Sequence, residues 1–189
     1  MTGPRTEVQV RAATEGDLDA LTAIYNHYVR ETAITFDTAE FTPGQRRPWL
    51  SSHPEDGPHR LLVAQEGSRS SADDARPFTD GTPGAVLGYA TSSPFRPKAA
   101  YATSVEVSVY CAPQAVGRGV GTLLYGALFA ALEGEDLHRA YAGVALPNDA
   151  SVRLHTRFGF HHVGTYAEVG RKFGRYWDVA WYEKPLSPS

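Results

Sequence analysis

The segment Glu106–Thr122, EVSVYCAPQAVGRGVGT, joins an alternating strand pattern to a glycine-rich turn, and the reading of the whole chain depends on it. Along Tyr101–Cys111, Val105, Val107 and Val109 fall on one face by the two-residue period, and Ser104, Glu106, Ser108 and Tyr110 on the other. The run predicts a strand whose polar face carries a carboxylate. Downstream, Gly117, Gly119 and Gly121 lead into Val120–Leu132, which reads as a helix. Glycines at a strand-to-helix junction let backbone N–H groups turn toward one point, where the helix N-terminus adds a positive dipole end. Such a loop suits a diphosphate, although the same glycines also serve a plain tight turn. A P-loop needs Lys-Ser/Thr after its last glycine, and here Thr122-Leu123 follows Gly121. A dinucleotide-binding fold places its glycines after the first strand with an acidic partner on the next, which this mid-chain loop lacks.

The remaining elements follow on either side. Val8 and Val10 mark a short first strand, and Thr14 with Asp17 a helix start. Leu18, Leu21, Tyr25 and Tyr28 then recur at helical spacing. Thr42-Pro43 with Gln45 opens a second helix that Pro48 keeps short. Arg60–Gln65 and Ala85–Ser92 read as strands, separated by Glu66–Pro83, a Ser-, Asp-, Gly- and Pro-rich stretch read as an enlarged mobile loop. Ala140–Leu146 is a strand, Ser151–Phe158 a short helix, and Val163–Val169 and Tyr176–Lys184 are closing strands. Residues 1–189 thus read as one α/β domain with a mixed sheet.

Composition removes several function classes. A hydrophobic fraction of 42% and a charged fraction of 21% are ordinary for a soluble protein, and a net charge of -3 offers nothing to nucleic acid or a membrane surface. Cys111 is the one cysteine, so no internal disulfide forms. No signal-peptide run or membrane-length apolar stretch stands out, and a cytoplasmic location is expected. The seven histidines form no helical four-residue pair, and no metal site is expected.

Chemically, a glutamate a few residues before an anion loop is able to take the proton from an attacking amine, directly or through water; such bases contribute about 10²–10⁴ in rate. From pattern alone, Glu106 reads equally as a solvent-facing strand residue. The stretches VEVSVYCAP (Val105–Pro113), GRGVGTLLY (Gly117–Tyr125), LPNDASVRLH (Leu146–His155) and FGF (Phe158–Phe160) resemble the GNAT acetyltransferase core. With IYNHYV (Ile24–Val29) and RKFGRYWD (Arg171–Asp178), the chain more narrowly resembles the phosphinothricin and methionine sulfoximine N-acetyltransferase family.

The resemblance implies a GNAT fold: one mostly antiparallel twisted sheet flanked by helices, with splayed central strands forming a cleft for acetyl-CoA. It puts the general base at Glu106 and the proton donor to the departing thiolate at His155, an imidazolium being able to donate near neutral pH. It gives Val109 and Cys111 backbone contacts to the pantetheine arm and makes Val116, Gly117, Arg118, Gly119, Val120, Gly121 and Thr122 the pyrophosphate loop. Asn148 and Ser151 complete the cofactor side. Val116 departs from the Gln or Arg usual at that loop position, and Arg118 is a candidate compensating charge. Phe36, Arg96 and Tyr101 lie in acceptor-lining segments, with Arg96 able to pair with a carboxylate or phosphinate. Lys172, Arg175 and Trp177 lie in the family's tail, and Tyr28, Trp49 and Trp181 read as core or interface residues.

The expected activity is acetyl transfer from acetyl-CoA to the amine of a small amino-acid-like acceptor, in a homodimer. Two other readings stay open: a non-catalytic CoA-binding sensor, and an acetyltransferase acting on peptide or protein amines. Glu106 and His155 together argue against the first.

Overall fold

The computed structural model describes residues 7–67 and 84–186, so most of Glu66–Pro83, expected as a loop, lies outside the described residues. Seven strands form one sheet: β1 (Val8–Ala12), β2 (Leu61–Glu66), β3 (Val86–Pro94), β4 (Ser104–Cys111), β5 (Arg139–Ala145), β6 (His161–Lys172) and β7 (Arg175–Pro185). The helices are α1 (Leu18–Glu31), α2 (Pro43–Ser51), α3 (Val120–Ala131) and α4 (Asp149–Arg157). The strand order is β1-β2-β3-β4-β5-β7-β6, with every neighbouring pair antiparallel except β4 and β5. No helix among the described residues is long and apolar enough to cross a membrane.

Local chemistry sets both early helices. The Asp17 carboxylate reaches back to the Thr14 N–H at 2.7 Å and is gripped by both Arg11 Nη atoms at 2.7 Å, which fixes the turn ahead of α1. At α2, Thr42 and Gln45 exchange side-chain and backbone hydrogen bonds at 2.8 and 3.3 Å, with Pro43 in the first turn.

The strand alternation read from sequence organises the core. Val105 and Val107 are buried together with Val120, Leu124 and Leu128 of α3, which packs across β2, β3 and β4. On the opposite face, Tyr25 and Tyr28 of α1 set their rings edge-on against Tyr110, at 5.3 and 5.2 Å between centroids. Glu106 and Ser108 share that second face.

The most consequential feature is where the sheet opens. β4 and β5 run parallel and register over three positions only, Ser104–Glu106 against Arg139–Tyr141. Beyond them β4 stays paired with β3 as far as Cys111, and β5 stays paired with β7 as far as Ala145. The two strands part, and a gap opens in the middle of the sheet.

Two boundaries differ from the sequence reading. Tyr101 is outside the strand: Ala99–Tyr101 form a 3₁₀ turn closed by the Tyr101 N–H on Lys98 O at 2.9 Å, so the tyrosine leaves the strand's alternation. The closing strands are longer than expected, because Phe173 and Gly174, at φ 52° and 73°, turn β6 tightly into β7. The Lys-Phe-Gly-Arg sequence lacks the Asn-Gly or Asp-Gly pair that usually announces such a turn.

Candidate active site

The gap between β4 and β5 is lined by Ser108, Val109, Asn148, Ser151, His155 and Tyr125, among others. Near it lies a larger cavity of about 660 Å³ bounded by Cys111, the glycine loop and α4. Gly117 and Gly119 both sit at φ +80°, where a side chain would be strained, and Gly119 is the N-cap of α3 without a side-chain cap. Among the described residues, the N–H groups of Gly117, Gly119 and Val120 have no backbone partner. Uncapped amides at a helix start, facing a cavity, form a cradle for a phosphate anion.

Gly117, Gly119, Val120, Gly121 and Thr122 line this cavity, as the sequence reading requires. Val116 and Arg118 do not. Val116 is exposed, and Arg118 turns to Glu66 at the end of β2, 3.3 Å away. Its guanidinium is engaged with the end of β2. Arg153 and Arg157, one helical turn apart on α4, do line the cavity. They escaped the sequence reading because a surface helix offers many arginines and nothing local marks these two. Cys111 contributes its side chain here, while its carbonyl already accepts from the Tyr28 hydroxyl at 2.6 Å. Burial raises the thiol pKa, and the Gly121 N–H opposes that shift.

Glu106 lies on the polar face beside a second opening of about 340 Å³, lined with Phe36, Gly143, Tyr166, Val179 and Trp181. Burial raises its pKa above that of an ordinary glutamate, and the Arg96 guanidinium, 3.9 Å away, partly counters the rise. Arg96 itself stacks over Phe95 with its Cζ 4.2 Å from the ring centroid. Phe36 and Arg96 are thus brought to Glu106. Tyr101 packs against Phe95 instead and lines neither opening. The loop carrying Phe36 is pinned by Lys172, buried at 5% exposure, whose Nζ donates to Thr35 O at 2.8 Å.

Asn148 caps α4, its Oδ1 accepting from the Ser151 N–H at 3.1 Å. His155 is 3% exposed, and its Nδ1 stands 2.7 Å from Ser151 O. A carbonyl only accepts, so Nδ1 carries the proton and Nε2 accepts from the Tyr125 hydroxyl at 2.9 Å. Burial lowers the His155 pKa below 6.5, which the Ser151 contact only partly offsets. The resting group is therefore neutral imidazole rather than the imidazolium invoked from sequence. Nothing local in the sequence singles out Tyr125, fully buried in α3; its place at the gap appears only in three dimensions.

A parted parallel strand pair, uncapped helix-start amides and a half-buried glutamate on the adjoining face meet in this part of the fold. Residues 21–160 match the model of the acetyltransferase (GNAT) family, and the chain belongs to that family as an N-acetyltransferase. It is 67% identical over 180 residues, 95% of this chain and 97% of the relative, to a phosphinothricin N-acetyltransferase of Streptomyces coelicolor. An L-methionine sulfoximine/L-methionine sulfone acetyltransferase of Pseudomonas aeruginosa is 31% identical, covering 95% of each chain. A phosphinothricin acetyltransferase from Sinorhizobium meliloti, solved in complex with acetyl-CoA, superimposes with TM-score 0.80 at 30% identity, covering 95% of this chain and 89% of that one.

Two predictions follow from packing and burial. A Cβ at Gly170 would stand 2.2 Å from the Phe36 ring, so Gly170→Ala must displace Phe36. It is expected to raise the acceptor KM, with a stability cost of about 1–3 kcal/mol, checked by steady-state kinetics and thermal unfolding. For His155, ¹⁵N NMR at pH 7 should show a neutral ring protonated on Nδ1, and an imidazolium signal would contradict this. Because the folded pKa is lowered, the neutral ring's contribution to stability is complete above 6.5 and lost as pH falls through the folded value.

Proposed function

We propose that the chain transfers the acetyl group of acetyl-CoA to the amine of a small amino-acid-like acceptor, of the kind named for its phosphinothricin and methionine sulfone relatives. The observation that carries this reading is the half-buried Glu106 at the seam between the β4–β5 gap and the Phe36 opening, with Arg96 beside it. Acetyl-CoA supplies an activated thioester. The amides of Gly117, Gly119 and Val120 would hold its pyrophosphate, with Arg153 and Arg157 adding positive charge at the cavity wall. Val109 and Asn148 would receive the pantetheine arm along the gap.

Glu106 takes a proton from the acceptor amine, directly or through one water. Its raised pKa makes it a stronger base than an exposed glutamate while it remains a carboxylate near neutral pH. Arg96 orients the acceptor through its carboxylate, and Phe36 and Trp181 wall the opening. Burial raises the Tyr125 pKa, so its hydroxyl, held at the gap by the positioning residue His155, would offer a hydrogen bond to the departing thiolate while keeping its proton.

The exposed apolar side chains of β6 and β7, Val163, Tyr166, Val169 and Tyr176, with Phe173 at their turn, fit a homodimer interface next to the acceptor opening. A single unpaired cysteine and a CoA thioester donor fit the cytoplasm.

Thiol release from acetyl-CoA across a panel of amino acids, their sulfone and phosphinate analogues, and peptides tests the reading. Turnover confined to amino-acid-like amines is expected; turnover of peptides alone, or CoA binding without turnover, would overturn it. Glu106→Gln is expected to lower kcat by about 10²–10⁴ with acetyl-CoA affinity unchanged. In the unmodified enzyme, kcat/KM should fall on the acid side with an inflection above 4.5, as the raised Glu106 pKa requires.

A further inference from the structure

Beneath α1 and α2, on the Glu106 face of the sheet, lies a separate cavity of about 290 Å³. Ser108, two residues beyond Glu106 on β4, lines it, which puts its start roughly 7 Å along the strand from the candidate base. Ser93, the register partner of Glu106 on β3, lines it as well. The cavity therefore continues the surface on which the acceptor amine is placed.

Its inner wall holds Arg46, only 7% exposed. The guanidinium Cζ lies over the Trp49 and Tyr25 rings, 3.9 and 4.4 Å from their centroids, and Nη1 donates to Leu21 O at 3.2 Å. No carboxylate pairs with it among the described residues. A buried charge without a counter-ion is costly. The rings cover the guanidinium without supplying a counter-ion, which suits an oxyanion. Beside it, Tyr89 is 1% exposed, and its hydroxyl has no hydrogen-bond partner. Buried hydroxyls are almost always paired, so a guanidinium without a carboxylate and an unpartnered hydroxyl at one cavity wall point to a missing acceptor.

Asp37 stands at the rim, exposed and held by the Tyr25 hydroxyl, where water screens its charge. The interior pole is positive. We propose that this cavity takes the acidic end of the acceptor's side chain, a carboxylate or phosphinate, with Arg46 as its anion-binding residue and Tyr89 donating a further hydrogen bond. The inference rests on the acceptor reading above. The amine lies at Glu106, the α-carboxylate on the Arg96 side, and the side chain runs past Ser108 to Arg46. An uncharged side chain would use the same amine and carboxylate contacts without engaging Arg46.

The test compares phosphinothricin, whose side chain ends in an acid, with methionine sulfone, whose side chain is uncharged, in the full-length enzyme and its Arg46→Gln and Arg46→Lys variants. Arg46→Gln is expected to raise KM for phosphinothricin at least tenfold and to leave KM and kcat for methionine sulfone within twofold, which also reports intact folding. Arg46→Lys should recover part of the loss. Equal effects on both acceptors, or none on either, would overturn the subsite while leaving the acetyltransferase reading intact. If the unmodified enzyme acetylates neither compound, the acceptor reading fails and this inference with it.

Discussion

The short parallel pairing of β4 with β5 is the constraint on which the rest depends. Each strand keeps its antiparallel partner after the two separate, so both retain a paired edge while turning an unpaired one toward the gap. Backbone groups in a folded interior are almost always satisfied. A ligand that pairs in strand fashion meets that demand. The gap is lined by Asn148 and the Tyr125–His155 pair, and the uncapped amides at the start of α3 line the larger cavity near it.

Burial then divides the chemistry among the charged groups. Glu106, drawn partly out of water, becomes more basic, and Arg96 opposes part of that shift. His155, enclosed completely, loses the charge that an exposed histidine would carry near its ordinary pKa, and its one proton is committed to Ser151 O. Lys172 and Arg46 are buried cations with different partners. Lys172 donates to the Thr35 carbonyl of the α1–α2 connection and anchors the Phe36 loop, whereas Arg46 rests on aromatic rings at a cavity wall.

The parts legible in sequence are those whose signal is local. Alternation along Val105–Tyr110 sorted the two faces of β4, and the Thr14–Asp17 and Thr42–Gln45 pairs located two helix starts. The glycine spacing announced an anion loop, but the direction of Arg118 depended on Glu66, a distant residue on β2. Tyr101 was misplaced because a 3₁₀ turn carries no strong pattern of its own. Tyr125 and Arg46 were out of reach for a common reason: no local pattern says what a helical side chain meets in three dimensions. Tyr125 meets His155 from a helix 30 residues away, and Arg46 meets Tyr89 across the sheet.

Amide hydrogen–deuterium exchange with and without acetyl-CoA tests the central claim most directly, because it reads the parted strands themselves. Binding should slow exchange at Val107–Cys111 on β4 and at Gly117–Leu123 around the start of α3, with β1 and β2 unchanged. Protection elsewhere, or none at the β4–β5 gap under saturating acetyl-CoA, would contradict the account.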